Sequence, residues 1–270
     1  MLSSVSSNGA RSDIHTIRTA LTSISSITAA RGDRKLHLLL AASGSVATIK
    51  LPLILSYLSK HAVGLSIRII ITSSAARFLN GQSKEQPTLS SLSGYAGVDG
   101  IYSDKDEWGP EPWRRGKGIL HIELRKWADL LVIAPLSANT MAKICNGICD
   151  NLLTSIVRAW DTDGTVDAAP NPATGSDEVQ RKKKRIVLAP AMNTAMWRHP
   201  VTKKQVQQLE GEWGVNDKEV DDEDEVNIDG GWIEVLRPGE KELACGDIGE
   251  GAMMEWEAIC GIVERRLGME

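Results

Sequence analysis

The sequence predicts a three-layer α/β/α fold built on a parallel sheet. Two observations carry this. Short apolar runs recur along the chain, each followed by a loop of small polar residues and then a helical pattern. The runs are continuously apolar rather than alternating, so their strands are buried on both faces, as in a parallel sheet covered by helices. A flavodoxin- or Rossmann-like sheet follows, with ligands bound where the strands end.

The elements come in order. Leu36–Ala42 reads as the first strand and ends at Ser43-Gly44-Ser45, and Val46–Lys60 reads as a helix that tolerates Pro52 near its start. Ser66–Thr72 is the second strand, followed by Ser73-Ser74 and a helical Ala75–Leu79. Leu130–Ala134 is the third, with Pro135 and a helix from about Ala138. Arg185–Ala189 is the fourth, with Pro190 and a helix from about Thr194 to Leu209. All four loops are expected to open on one edge of the sheet.

The length of 270 residues fits one decorated domain. Residues 1–34, rich in Ser, Thr and Ala, read as a flexible N-terminal arm; their composition overlaps with that of transit peptides, the weaker reading. Residues 35–270 read as the folded domain, interrupted by insertions at about 161–184 and 213–235 that carry a basic run (Arg181 to Lys184) and an acidic run (Asp221 to Glu225). Both runs read as solvated loop, with nuclear import the weaker alternative for the basic one. The net charge of −4 argues against wholesale nucleic-acid binding. Four cysteines at this length make no disulfide framework, and no secretory signal or membrane-length apolar run is visible, so a cytoplasmic location is expected. Cys145 and Cys149 are four residues apart on an expected helix, but no further Cys or His completes a tetrahedral set, and no metal is expected.

The chemistry is expected at the strand ends. Gly44, Ser45 and Val46 place backbone N–H groups and a hydroxyl at a helix start, which suits a phosphate. Thr72, Ser73 and Ser74 offer more hydroxyls, which helix capping explains equally well. Ser137, Ala138, Asn139 and Thr140 carry three hydrogen-bonding side chains where capping needs one, and Asn193 follows the fourth strand. Four polar loops suit an anionic, planar ligand such as a nucleotide or flavin, whereas the glycine fingerprint of NAD sites is absent after Ala42. Leu120, Leu124 and Trp127 form a core-facing stripe, which puts His121 at a helix start beside it. Burial and catalysis explain that histidine equally well. Cys245, set among Gly246, Gly249 and Gly251, reads as a mobile thiol.

Four stretches in order carry a resemblance: His121 to Asp129 (HIELRKWAD), Ala134 to Lys143 (APLSANTMAK), Pro190 to Trp197 (PAMNTAMW), and Ala244 to Asp247 (ACGD). The chain resembles the homo-oligomeric, flavin-containing cysteine decarboxylases, and within them the phosphopantothenoylcysteine decarboxylases and their salt-tolerance, phosphatase-regulating relatives. The resemblance runs from about Lys35 to Trp160 and from Arg185 to about Glu257. It implies decarboxylation of phosphopantothenoylcysteine to phosphopantetheine in coenzyme A biosynthesis, through thioaldehyde and enethiolate intermediates. It implies FMN held by Gly44, Ser45, Val46, Thr72, Ser73, Ser74, Ser137, Ala138, Asn139 and Thr140. It assigns catalysis to His121, Asn193 and Cys245, and substrate binding to Met192, Asn193, Lys241, Ala244 and Met253. It also implies a homotrimer, or a larger assembly of trimers, with sites at subunit interfaces. Fungal relatives inhibit a type 1 serine/threonine phosphatase; here all three catalytic residues are present and the chain ends at Glu270 without an acidic tail, so the enzyme reading leads. Glu242 stands where a base would meet the substrate phosphate, and Lys241 is the alternative cation.

Overall fold

The computed structural model describes residues 23–108, 112–166, 169–170, 179–180, 183–215, 230–242 and 248–269. Among them six strands form one sheet: β1 (Leu36–Ala42), β2 (Leu65–Ile71), β3 (Val98–Tyr102), β4 (Leu130–Leu136), β5 (Arg185–Pro190) and β6 (Ile233–Val235). Their spatial order is β3-β2-β1-β4-β5-β6, and every neighbouring pair runs parallel. The order reverses between β1 and β4, and the crevice beyond their carboxyl ends is where such sheets hold ligands.

Alternate residues of β1 face opposite layers, as the period of a strand requires. Leu38 and Leu40 pack with Ile54, Leu55 and Leu58 of α2 (Leu51–Leu58) and with Ile259 and Val263 of the C-terminal helix Trp256–Leu267. Leu39 and Ala41 join the other cluster, with Leu124 and Trp127 of Leu120–Trp127, Met141 of Ala138–Cys145 and Ile156 of Leu152–Arg158. All of these side chains are buried. In chain order the helices are α1 (Ile24–Ala30), α2, α3 (Asp104–Glu107), α4 (Leu120–Trp127), α5 (Ala138–Cys145), α6 (Leu152–Arg158), α7 (Thr194–Arg198), α8 (Pro200–Gln207) and α9 (Trp256–Leu267).

The structure corrects several expectations. The arm does not extend to residue 34: Ser23 caps α1, Ile27 is fully buried in the core, and Arg31 reaches Glu123 on α4 at 2.5 Å. The second insertion is too wide, because Ile233–Val235 is a sheet strand and Trp213 stacks on Trp232 at 5.6 Å. The helix after β1 opens with a tight 3-10 turn, Val46–Lys50, before α2. The helix after β5 is two helices, broken where His199 adopts extended backbone ahead of Pro200. The acidic run lies outside the described residues, as does nearly all of 167–182, basic Arg181 and Lys182 included. No helix among the described residues is long and apolar enough to cross a membrane.

One polar cluster fixes α9 to α2. The Glu264 carboxylate accepts from Lys60 Nζ at 2.7 Å, His61 Nε2 at 2.7 Å and Tyr57 hydroxyl at 3.3 Å. The Lys60 hydrogen bond leads in holding the Glu264 carboxyl below its ordinary range. A carboxyl depressed in the folded state stabilises above its unfolded value and loses that contribution as pH falls through its folded value. Glu264→Gln should therefore lower Tm at neutral pH, and the gap from the parent should close below about pH 4, under the unfolded Glu value. Thermal melts across pH check this; a gap that stays constant into acid would remove the charge from the explanation.

Candidate functional site

A cavity of about 770 Å³ opens at the reversal point of the sheet. It is lined by Gly44 to Ala47, Ile49 and Lys50 after β1, Ser137 to Asn139 after β4, Ala191 to Asn193 and Met196 after β5, and Gly251 to Trp256 leading into α9, with Phe78 at the side. Its volume falls in the range of small-molecule and cofactor sites.

Buried hydroxyls hold the two central loops together. Ser43, fully buried at the end of β1, accepts from Ser137 N at 2.7 Å and donates through its hydroxyl to Pro135 O at 3.1 Å. Ser137 caps α5 by accepting from Thr140 N at 3.3 Å, and its hydroxyl donates to Thr140 Oγ1 at 3.2 Å. Thr140 is thus a buried structural partner and does not line the cavity, while Asn139 does. Ser45 Oγ accepts from Ala47 N at 3.4 Å and starts the 3-10 turn that carries Lys50, the cation of the lining, to the cavity.

The second loop supports this cradle from behind. Thr72 N donates to Ala42 O at 3.2 Å, and Thr72 Oγ1 lies 3.3 Å from Ser74 Oγ. Ser73 Oγ donates to Asp104 at 3.0 Å. None of Thr72, Ser73 and Ser74 lines the cavity. A Cβ on Gly44 would stand 2.5 Å from Ser74 Oγ, so only glycine lets the two loops meet.

Asn193 lines the cavity and caps α7, accepting from Met196 N at 2.8 Å through Oδ1. That bond fixes the amide orientation and leaves the two N–H groups of Nδ2 as donors. The strand Ile248–Ala252 closes the wall, pairing antiparallel with Gly239–Glu242. Gly251, at φ +111°, accepts from Met192 N at 2.9 Å and has Met192 O where a Cβ would stand, 2.5 Å away. A side chain there would push the wall off the Asn193 loop.

His121 does not line the cavity of its own chain. It sits on α4 beside the buried stripe of Leu120, Leu124 and Trp127, and its Nδ1 lies 2.5 Å from Glu107 Oε1 on α3. Ala244 and Cys245 lie outside the described residues, as does the side chain of Lys241. Met192 and Met253 line the cavity. Sequence reasoning did not single out Lys50, Phe78 or Trp256. Lys50 could have been found as the one cation a turn beyond Gly44-Ser45; Phe78 and Trp256 carry no local signal.

The flavoprotein family model matches residues 26–268. The chain belongs to that family. It is 38% identical over 233 residues to the phosphopantothenoylcysteine decarboxylase of Mus musculus, covering 86% of this chain and 87% of that one. It is 41% identical over 239 residues to a probable thymidylate synthase of Schizosaccharomyces pombe, covering 88% of this chain but 30% of that protein's length. Among solved structures, a PPC decarboxylase cysteine-to-serine mutant complexed with pantothenoylaminoethenethiol shares 38% identity at a TM-score of 0.61, over 86% of this chain and 98% of that one. An FMN binding protein shares 37% identity at a TM-score of 0.59, over 88% and 99%. The strand order and cavity of this flavoprotein place its ligand-binding edge where the Ala134–Lys143 and Pro190–Trp197 stretches meet.

Proposed function

We propose that this flavoprotein decarboxylates phosphopantothenoylcysteine to phosphopantetheine with FMN in the cavity. The observation that carries the reading is Asn193: its oxygen is committed to the α7 cap, so this side chain has only donors left to offer in the cavity, which is what recognition of a carboxylate needs. The cradle fits FMN. Backbone N–H groups and Ser45 at the Val46 turn suit its phosphate, with Lys50 adjacent, and the apolar wall of Met192, Met253 and Trp256 suits a planar ring.

FMN bound there would supply reversible two-electron oxidation of the substrate's cysteine side chain, which gives the carboxylate's electron pair somewhere to go on loss of CO₂. His121 takes the thiol proton. Asn193 donates to the carboxylate and sets its angle. Cys245 returns a proton to the product. His121 lies away from its own chain's cavity, so a neighbouring chain must bring it. Trp108 and Trp113, 64% and 51% exposed ahead of α4, offer the apolar surface for such a contact. We infer a homotrimer with shared sites.

The purified chain should be yellow, should release CO₂ from phosphopantothenoylcysteine, and should have a native mass of three chains. A colourless protein, or a yellow one inert toward that substrate, would overturn the reading.

A further inference from the structure

We propose that Glu107 is the positioning residue of His121, holding the imidazole with its proton on Nδ1 so that Nε2 is the atom that exchanges protons. The inference rests on the reading of His121 as the proton-handling group. Two independent observations support it. The first is the contact itself: Nδ1 lies 2.5 Å from Glu107 Oε1, a charge-assisted geometry, while Nε2 has no hydrogen-bond partner among the described residues. A carboxylate only accepts, so Nδ1 must carry the hydrogen and the lone pair is left on Nε2. The second is the state of Glu107. Its side chain is 8% exposed, and Oε2 is buried with no partner among the described residues. A buried carboxylate oxygen without a donor is costly, and among the described residues the imidazole N–H, at the other oxygen Oε1, is the donor that offsets this cost.

The turn that carries Glu107 is itself fixed. Asp106 accepts from Ser103 N at 2.7 Å and from the Ser103 hydroxyl at 2.8 Å. Asp104 accepts from Leu152 N at 3.1 Å and from Ser73 Oγ at 3.0 Å. Asp104 thus ties α3 both to α6 and to the loop that supports the cavity cradle, and its neighbour Glu107 is delivered to His121 in one position. This gives the second loop a role different from contacting the cofactor: it aligns the turn that orients the base.

The test uses the full-length, flavin-loaded protein and three variants. Heteronuclear NMR of the imidazole nitrogens, with His121 assigned by its loss in His121→Asn, reads the tautomer directly. The parent should show hydrogen on Nδ1. Glu107→Ala should shift the population toward hydrogen on Nε2 and lower kcat at least about tenfold with little change in KM, since orienting partners of catalytic histidines act on rate. Glu107→Gln keeps an oxygen acceptor and should retain the Nδ1–H tautomer and recover part of kcat. A parent with hydrogen on Nε2 would overturn the proposal even if Glu107→Ala failed to fold. So would an unchanged tautomer in Glu107→Ala, or a shifted tautomer with kcat intact. The NMR readout does not depend on turnover, so a parent inert toward phosphopantothenoylcysteine would fail the functional reading and leave the tautomer result standing.

Discussion

Replacing His121 with asparagine is expected to cut decarboxylation by about 10²- to 10⁴-fold, the usual worth of a positioned general acid or base, while the protein stays yellow. The two halves of this expectation have different sources. The loss of rate follows from removing the group proposed to take the thiol proton. The retention of colour follows from geometry: the segments that form the cradle are other parts of the chain, and among the described residues none of them hydrogen-bonds to His121. Asparagine is the informative replacement because its amide can still donate to Glu107, sparing a buried carboxylate the loss of its partner. If sites are shared between subunits, mixing His121→Asn chains with Asn193→Ala chains should restore activity that neither has alone. That follows because one chain then supplies an intact imidazole and its neighbour an intact amide. Rates of CO₂ release from the separate and co-refolded variants decide it; mixed chains as dead as the parents would place His121 and Asn193 in one subunit's site or in none.

The central half of the fold was legible in the sequence because its strands are buried on both faces. Leu36–Ala42, Leu65–Ile71, Leu130–Leu136 and Arg185–Pro190 occupy the middle of the sheet, where nearly every residue is buried, so each stands out as a mainly apolar run, interrupted at His37 in the first and at Ser66 and Arg68 in the second. The two strands of this sheet not anticipated are its edges. Val98–Tyr102 contains Asp99 and Gly100, and Ile233–Val235 has three residues with a charged one in the middle. An edge strand has one neighbour and needs no continuous apolar signal. The site divided along a similar line. Residues that face the cavity and also cap a helix, such as Ser137 and Asn193, announce themselves by position after a strand. Thr140 and Ser73 look the same in sequence, yet their hydroxyls are used internally, because capping and bracing consume polar side chains as readily as ligands do. Glu107 was invisible: it lies 14 positions from His121 across a loop, and nothing in a sequence reports a contact made by the folding of that loop.

Gly44→Ala is expected to weaken FMN binding by about 10- to 100-fold, the equivalent of 1–3 kcal/mol of overpacking at a site that cannot relax. Gly44 does not sit in the left-handed region, so alanine is conformationally allowed and the whole effect is contact. The added Cβ would stand 2.5 Å from Ser74 Oγ and 2.7 Å from Ser74 Cβ. Rotating the Ser74 hydroxyl relieves the first contact but not the second, so one of the two loops must move. The second loop is held by Thr72, whose backbone and hydroxyl both bond to Ala42 O, and the first by Ser43 against the β4 loop. The 3-10 turn at Val46 is the part free to yield, and that turn is the proposed phosphate cradle. Fluorescence titration of apoprotein with FMN measures the loss, and a melt of the apoprotein separates it from unfolding. The mechanism makes a second, sharper demand. Ser74→Gly removes both atoms that the new Cβ would meet, so the double variant Gly44→Ala/Ser74→Gly should regain most of the lost affinity. The two changes should therefore be strongly non-additive, as residues in direct contact are. Additive losses would mean that the glycine serves the flavin directly and not the meeting of the two loops.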